Sequence, residues 1–249
     1  MVAKFEVVLQ GTGFRTNLVS LGISTVALVR DDGNTLLDTG HFGNRRQLLS
    51  SLEKLGMKPA DIDTVILTHS HWDHVLNLEL FGNAEVVINS KELRHTLSIK
   101  GYDWATPSYL GRVLENMKVK AVEGNQSLSK NVRVVETPGH SPGHQAVAVR
   151  TDKGNILFSG DAMPTLRSYF RGLPDYISVS EEEARRSIAR LKDLKPDLYY
   201  PGHDRPFRVV GGQPEYLEHT ELKVIFRRET EENFSIALST EDSEKPEKM

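Results

Sequence analysis

The sequence predicts an α+β protein in which two β-sheets pack face to face with helices on their outer sides. Three observations predict it. Short β-type runs bounded by turn residues alternate with helical runs. The order of several strands followed by a helix occurs twice along the chain. With 249 residues, 38% of them hydrophobic, the chain can bury a substantial core.

Residues 5–9, 24–30 and 35–38 are the first strands, and Asp31-Asp32-Gly33-Asn34 supplies a hairpin turn between the last two. Over residues 45–55, Leu48, Leu49, Leu52 and Leu55 recur at helical spacing, and Gly56 suits the C-cap. A loop at Pro59 leads into a strand at 64–67. The second half repeats the order with strands at 132–136, 145–150 and 156–159, then a helix over 180–194. Ser180 is its N-cap, with Glu183 three residues on. A strand at 197–200 follows. Residues 97–127 between the halves are less regular, and Tyr102, Trp104 and Tyr109 are expected to pack that segment. The expectation is one domain over residues 1–239, with 240–249, rich in Glu, Lys, Asp, Ser and Pro, a disordered charged tail.

Composition narrows the chemistry. No apolar stretch approaches the roughly 18 residues of a membrane span, and Met1 to Glu6 lacks the basic and apolar regions of a secretion signal, so the cytoplasm is the expected compartment. A net charge of −3 leans against a dedicated nucleic-acid binder, which leaves a small molecule as the expected partner. The absence of cysteine removes disulfides, thiolate ligands and a cysteine nucleophile together. Any metal site must use His, Asp or Glu.

Three of the nine histidines fall in "THSHWDH", residues 68–74, directly after the apolar run Val65-Ile66-Leu67. Where a strand ends, residues two apart point to one side, so His69 and His71 can converge on one cation, with Asp73 and His74 turned toward a second. Three more ligand-type residues follow predicted strands: His140 in "TPGHSPGH", Asp161 in "FSGDA" and His203 in "YPGHD". Gly139, Gly160 and Gly202 stand immediately before them, where a glycine lets the backbone turn sharply.

In this order, "THSHWDH", "TPGHSPGH", "SGDA" and "PGH" resemble the motif series of the metallo-β-lactamase superfamily, over residues 2–207. The resemblance implies a four-layer αββα sandwich. It implies that His69, His71 and His140 hold one metal, that Asp73, His74 and His203 hold the second, and that Asp161 bridges them. "LLDTG" resembles that family's early strand, in which the aspartate, here Asp38, supports the metal loops. "TPGHSPGHQAV" is similar to the lactonase and glyoxalase II branches, which cleave lactones and thioesters; "HSHWDHVLNLELF" also resembles a small single-domain group with a nuclease-like member. Acyl-homoserine lactonases usually carry a tyrosine shortly after the bridging aspartate. This chain has Ala162-Met163-Pro164 there, and Tyr169 stands farther along.

The implied activity is dinuclear metal-dependent hydrolysis of a small ester, lactone or thioester by a metal-bridging hydroxide, with two divalent ions per chain. Zinc is expected, and iron or manganese also suit such ligands. Asp73 is the candidate for accepting or relaying the proton of the attacking water, and Asp161 sets the spacing of the pair. His144 is expected to hydrogen-bond the loop around His140, and His41 to stand beside the site. His95 and His219 are read as solvated. Arg167, Tyr169 and Arg171 are the candidate substrate contacts, the arginines being suited to a carboxylate or phosphate. The rival readings are a nuclease acting on RNA or single-stranded DNA, an iron-dependent redox enzyme on the same fold, and a non-catalytic binding protein. The natural substrate and the oligomeric state are left open.

Overall fold

The computed structural model describes residues 2–15, 20–98 and 103–219. The expected domain end at 239 and the charged tail lie outside them, as does Tyr102.

The chain begins with β1 (Lys4–Leu9), a hairpin of β2 (Thr12–Arg15) and β3 (Ser20–Ile23), β4 (Val26–Arg30) and β5 (Asn34–Leu37). It continues through α1 (Arg45–Lys54), β6 (Thr64–Ile66), α2 (Trp72–Val75), β7 (Glu85–Asn89), α3 (Ser90–Leu97), α4 (Leu110–Leu114) and β8 (Lys118–Val122). The second half contains β9 (Gln126–Ser127), β10 (Val132–Glu136), β11 (Gln145–Thr151), β12 (Gly154–Gly160), α5 (Leu166–Arg171), α6 (Glu181–Asp193), β13 (Leu198–Pro201), β14 (Phe207–Val210) and β15 (Gln213–Tyr216).

Two large sheets result, ordered β1-β4-β5-β6-β7-β8 and β15-β14-β13-β12-β11-β10-β9. Side-chain alternation assigns each strand to two cores. On β4, Ala27 and Val29 face the other sheet, while Val26 and Leu28 face the helices; on β12, Ile156 and Phe158 face the other sheet, and Leu157 faces α6. Leu37, Ile66 and Val87 meet Val134, Val147 and Phe158 in the central layer. Leu48, Leu52, Leu110 and Leu114 cover one outer face, and Ile188 and Leu191 cover the other. Helix, sheet, sheet, helix is the predicted four-layer order.

Local signals work where they were expected. Asp31 to Asn34 turns β4 antiparallel onto β5, and the Ser180 side chain accepts from the Glu183 N–H at the start of α6. Several elements carry no clear signal: the β2–β3 hairpin, β7, α3 and the antiparallel pair β14–β15. The inter-half segment is less buried than expected, with Trp104 59% and Tyr109 49% exposed.

Candidate metal centre

The motif loops leave the same edge of both sheets, at the ends of β6, β10, β12 and β13. His71 caps α2, whose single turn then presents Asp73 and His74 inward. Gly139 and Gly160 take positive φ values, +133° and +51°. At Gly160 a Cβ would also press on His144 Nε2 at 2.9 Å and on Thr68 at 3.0 Å, so glycine is required twice over there. Gly202 has another reason: a Cβ there would run into Asp161 Oδ1 and stand 3.0 Å from the Gly160 backbone, leaving no room for a side chain.

All seven candidate ligands are brought together. His140 Nε2 lies 3.2 Å from His69 Nε2 and 3.0 Å from His71 Nδ1. His203 Nε2 lies 3.1 Å from Asp161 Oδ2 and 3.3 Å from Asp73 Oδ2, and His74 Nε2 lies 3.4 Å from Asp161 Oδ1. Three sets of donor atoms each fall within 4.8 Å: His69, His71 and His140; His69, His74 and Asp161; Asp73, His74 and His203. Asp161 sits between the outer two.

The donors fit divalent cations. At a Zn–N distance of about 2.0 Å, tetrahedral ligands stand about 3.3 Å apart, close to the spacings found. His74 Nε2 and Asp161 Oδ1 are buried 3.4 Å apart with no other hydrogen-bond partner, a spacing that two ligands of one cation also take.

The other ends of the rings are fixed. Asp38, itself at φ +56°, accepts from the Thr68 N–H and hydroxyl, and its Oδ2 lies 2.7 Å from His74 Nδ1. His140 Nδ1 donates to the Tyr176 carbonyl at 3.0 Å, and His203 Nδ1 to the Ile23 carbonyl at 3.1 Å. Each bond points the opposite nitrogen at the centre.

Charge is divided across the site. Burial, together with neighbouring imidazoles, holds His69 and His71 well below the usual histidine value. Burial also lowers His74 and His203, but the carboxylates of Asp161 and Asp73 outweigh it; His74 stays well above its ordinary value and His203 is pushed up to about 9. One side of the site is therefore neutral nitrogen and the other is ionic.

His144 is no ligand. Its Nε2 accepts from the backbone N–H groups of Asp161 and Ala162, at 3.0 and 3.1 Å, so Nδ1 carries the proton and donates to Thr137 Oγ1. It holds the loop around His140 through Thr137, as the sequence suggested, and supports the Asp161 turn as well. His41 accepts from Gly43 N–H and meets the Trp72 ring edge-on at 5.2 Å, beside the site. His95 corrects the expectation of a solvated side chain: it pairs with Asp103 at 2.6 Å. His219 is exposed, outside any helix.

The substrate candidates separate. Tyr169 packs between Tyr199 and Phe207 with the Lys192 ammonium over its ring, so it serves the core beneath α6 and corrects the expectation of a substrate contact. Arg171 pairs with Asp175 at 3.5 Å, and Asp175 lies within electrostatic reach of Arg167, Asp161 and His203. Sequence reasoning missed Tyr176, whose ring stands edge-on to His140 and His71 at 5.4 and 5.7 Å and meets Trp104 on its other side. Its signal was its place in "RSYFRGLPDY", after Asp161.

A family model described as the metallo-beta-lactamase superfamily matches residues 19–203. An N-acyl homoserine lactonase of Bacillus cereus is 29% identical over 219 residues, covering 76% of this chain and 83% of the relative. Metallo-beta-lactamase domain-containing protein 1 of Xenopus laevis is 32% identical over 189 residues, covering 75% and 72%. A solved N-acyl homoserine lactone hydrolase, with N-hexanoyl-L-homoserine at its catalytic metal centre, shares the fold at a TM-score of 0.66 and 23% identity, over 82% of this chain and 93% of that one. The chain belongs to the metallo-β-lactamase superfamily, and it is a metal-dependent hydrolase with a centre for two divalent ions.

Proposed function

We propose that the chain is a dizinc hydrolase that opens a small ester, lactone or thioester. The observation that carries this reading is the pair of outer donor sets joined through Asp161, with His74 Nε2 and Asp161 Oδ1 buried 3.4 Å apart between them. In this reading His69, His71 and His140 hold one ion, Asp73, His74 and His203 the other, and Asp161 reaches both. A set rich in imidazole and free of sulfur suits zinc, while manganese or iron are the outcomes that metal analysis would distinguish. When bound, the ions supply Lewis acidity and make hydroxide available from water near neutral pH.

The chain's own residues do the rest. The Asp38 carboxylate and the Tyr176 and Ile23 carbonyls bond the outer nitrogens of three rings, so that with cations bound in place of the inward protons each would offer a lone pair to the centre. Asp73 Oδ2, facing the same space, accepts or relays the proton of the attacking water. Tyr176 walls the His71 and His140 side, which supports a role beside the substrate in a chain that has Ala162-Met163-Pro164 where lactonases place tyrosine. Arg167 and Arg171, on α5, would meet an anionic substituent. The relatives named as lactonases favour a lactone among the three ester classes.

Metal analysis together with a panel of a lactone, a thioester, a β-lactam, a phosphodiester and RNA tests the reading. Turnover of a carbon ester with two zinc ions per chain supports it; turnover confined to the phosphodiester or RNA, or the absorption spectrum of bound iron, overturns it. The cytoplasm remains the proposed compartment. Among the described residues no helix is long and apolar enough to cross a membrane.

A further inference from the structure

One buried carboxylate lies outside the donor sets and touches two loops that carry three of their members. Glu92, in the first turn of α3, is 0% exposed. Its Oε1 accepts from the Ser70 N–H at 2.9 Å and the Ser70 hydroxyl at 2.7 Å. Its Oε2 accepts from the Ser141 hydroxyl at 2.8 Å and the Gly143 N–H at 2.8 Å. Ser70 stands between His69 and His71, and Ser141 follows His140. Each carboxylate oxygen therefore takes one loop, the first leaving β6 in one sheet and the second joining β10 to β11 in the other.

We propose that Glu92 is a positioning residue for the metal centre, a strap that fixes the spacing of His69 and His71 relative to His140; this rests on the reading of those histidines as ligands. The loops belong to different sheets; Gln145 joins their bases, its N–H donating to the Thr68 carbonyl and its amide to the Leu67 carbonyl, while Glu92 takes the ligand-bearing turns themselves. A carboxylate is the group required. All four partners donate, whereas glutamine would offer one acceptor oxygen and turn an NH2 toward the Gly143 N–H, donor against donor. None of the four donors is cationic, so the buried negative charge gains a counter-charge when cations bind above it. The loop fits the helix without slack, since a Cβ at Gly143 would run into the backbone nitrogen of Glu92.

The same helix reaches the site a second way. The Ser70 hydroxyl, its hydrogen directed at Glu92, lies 3.0 Å from the Thr106 hydroxyl and can accept from it. Thr106 is held by Asp103, which accepts from the Ala105 and Thr106 N–H groups and pairs with His95, three residues after Glu92. Helix α3 thus locks both the ligand loops and the segment carrying Trp104.

Chelator competition with Zn2+ on wild-type protein and on Glu92→Gln, with thermal melting of both metal-free forms, tests the proposal. The expected result is that one of the two zinc constants weakens about ten- to hundredfold, as loss of a group supporting metal ligands typically does, while the other moves by less than about threefold. A lower melting temperature with both constants unchanged overturns it and leaves Glu92 as structural packing. Ser141→Ala deletes a single strap bond and should weaken the same constant in the same direction. If Glu92→Gln does not fold, that variant decides alone: an unchanged constant rejects the proposal. Wild-type protein that binds no zinc would instead overturn the metal reading itself, and the proposal with it.

Discussion

Asp161 leaves a glycine turn with one oxygen toward His203 and the other toward His74, and the turn itself is held by two backbone bonds into His144. Two substitutions separate these roles. Asp161→Ala should lower kcat/KM by about 10³-fold or more, because it removes the group proposed to reach both ions. Circular dichroism should remain that of a folded protein, and retained turnover would mean that the bridge is misassigned. His144→Ala should cost about 2 to 5 kcal/mol in chemical denaturation, since two buried N–H groups lose their acceptor. A cost below about 1 kcal/mol would indicate that water replaces the ring.

At the level of elements, α3 and α5 carry testable chemistry. The His95 imidazole is raised above 6.5 chiefly by its hydrogen bond to Asp103. Burial opposes ionisation of Asp103, but His95 and the Thr106 N–H hold the carboxyl well below 3.8. The sign follows from linkage. The His95 contribution is full below 6.5 and is lost as pH rises through the raised value. The Asp103 contribution is full above 3.8 and is lost as pH falls through the lowered one. The melting-temperature gap between wild type and His95→Ala should therefore be widest between about pH 4 and 6.5 and close at higher pH; a gap that widens toward pH 9 rejects the pairing. On α5, Arg167→Ala should lower kcat/KM for an anionic ester about ten- to hundredfold relative to a matched neutral ester, with metal content unchanged. An unaltered preference would make the helix a surface feature.

For the molecule as a whole, two ions per chain are expected after reconstitution, measured by elemental analysis. Ions that bind the native state alone stabilise it by mass action. Prolonged chelation should therefore abolish turnover and lower the melting temperature together, and zinc should restore both. The candidate ligands lie where loops from the two sheets meet, so removal of the ions is expected to loosen that edge while leaving the central apolar layer intact.

The sequence by itself determined the layers and the ligand types. The apolar runs of β4 and β12, helical spacing at Leu48 and Leu52, the Ser180 cap and the absence of cysteine are local facts, legible without knowledge of distant partners. The seven candidate donors were legible as a group because each follows a strand end in a short, unusual motif. Only the tertiary structure decided which residues serve them. Glu92 carried no signal in the sequence, His95 read as a solvated ring, and Tyr169 as a neighbour of the site because it follows Asp161 by eight positions. Hydrogen bonds across 22 to 51 residues join Glu92 to its loops, and the turn of α5 carries Tyr169 into the core. Such pairings depend on how the two sheets stack, and no local pattern in the chain encodes which buried donor will meet which acceptor.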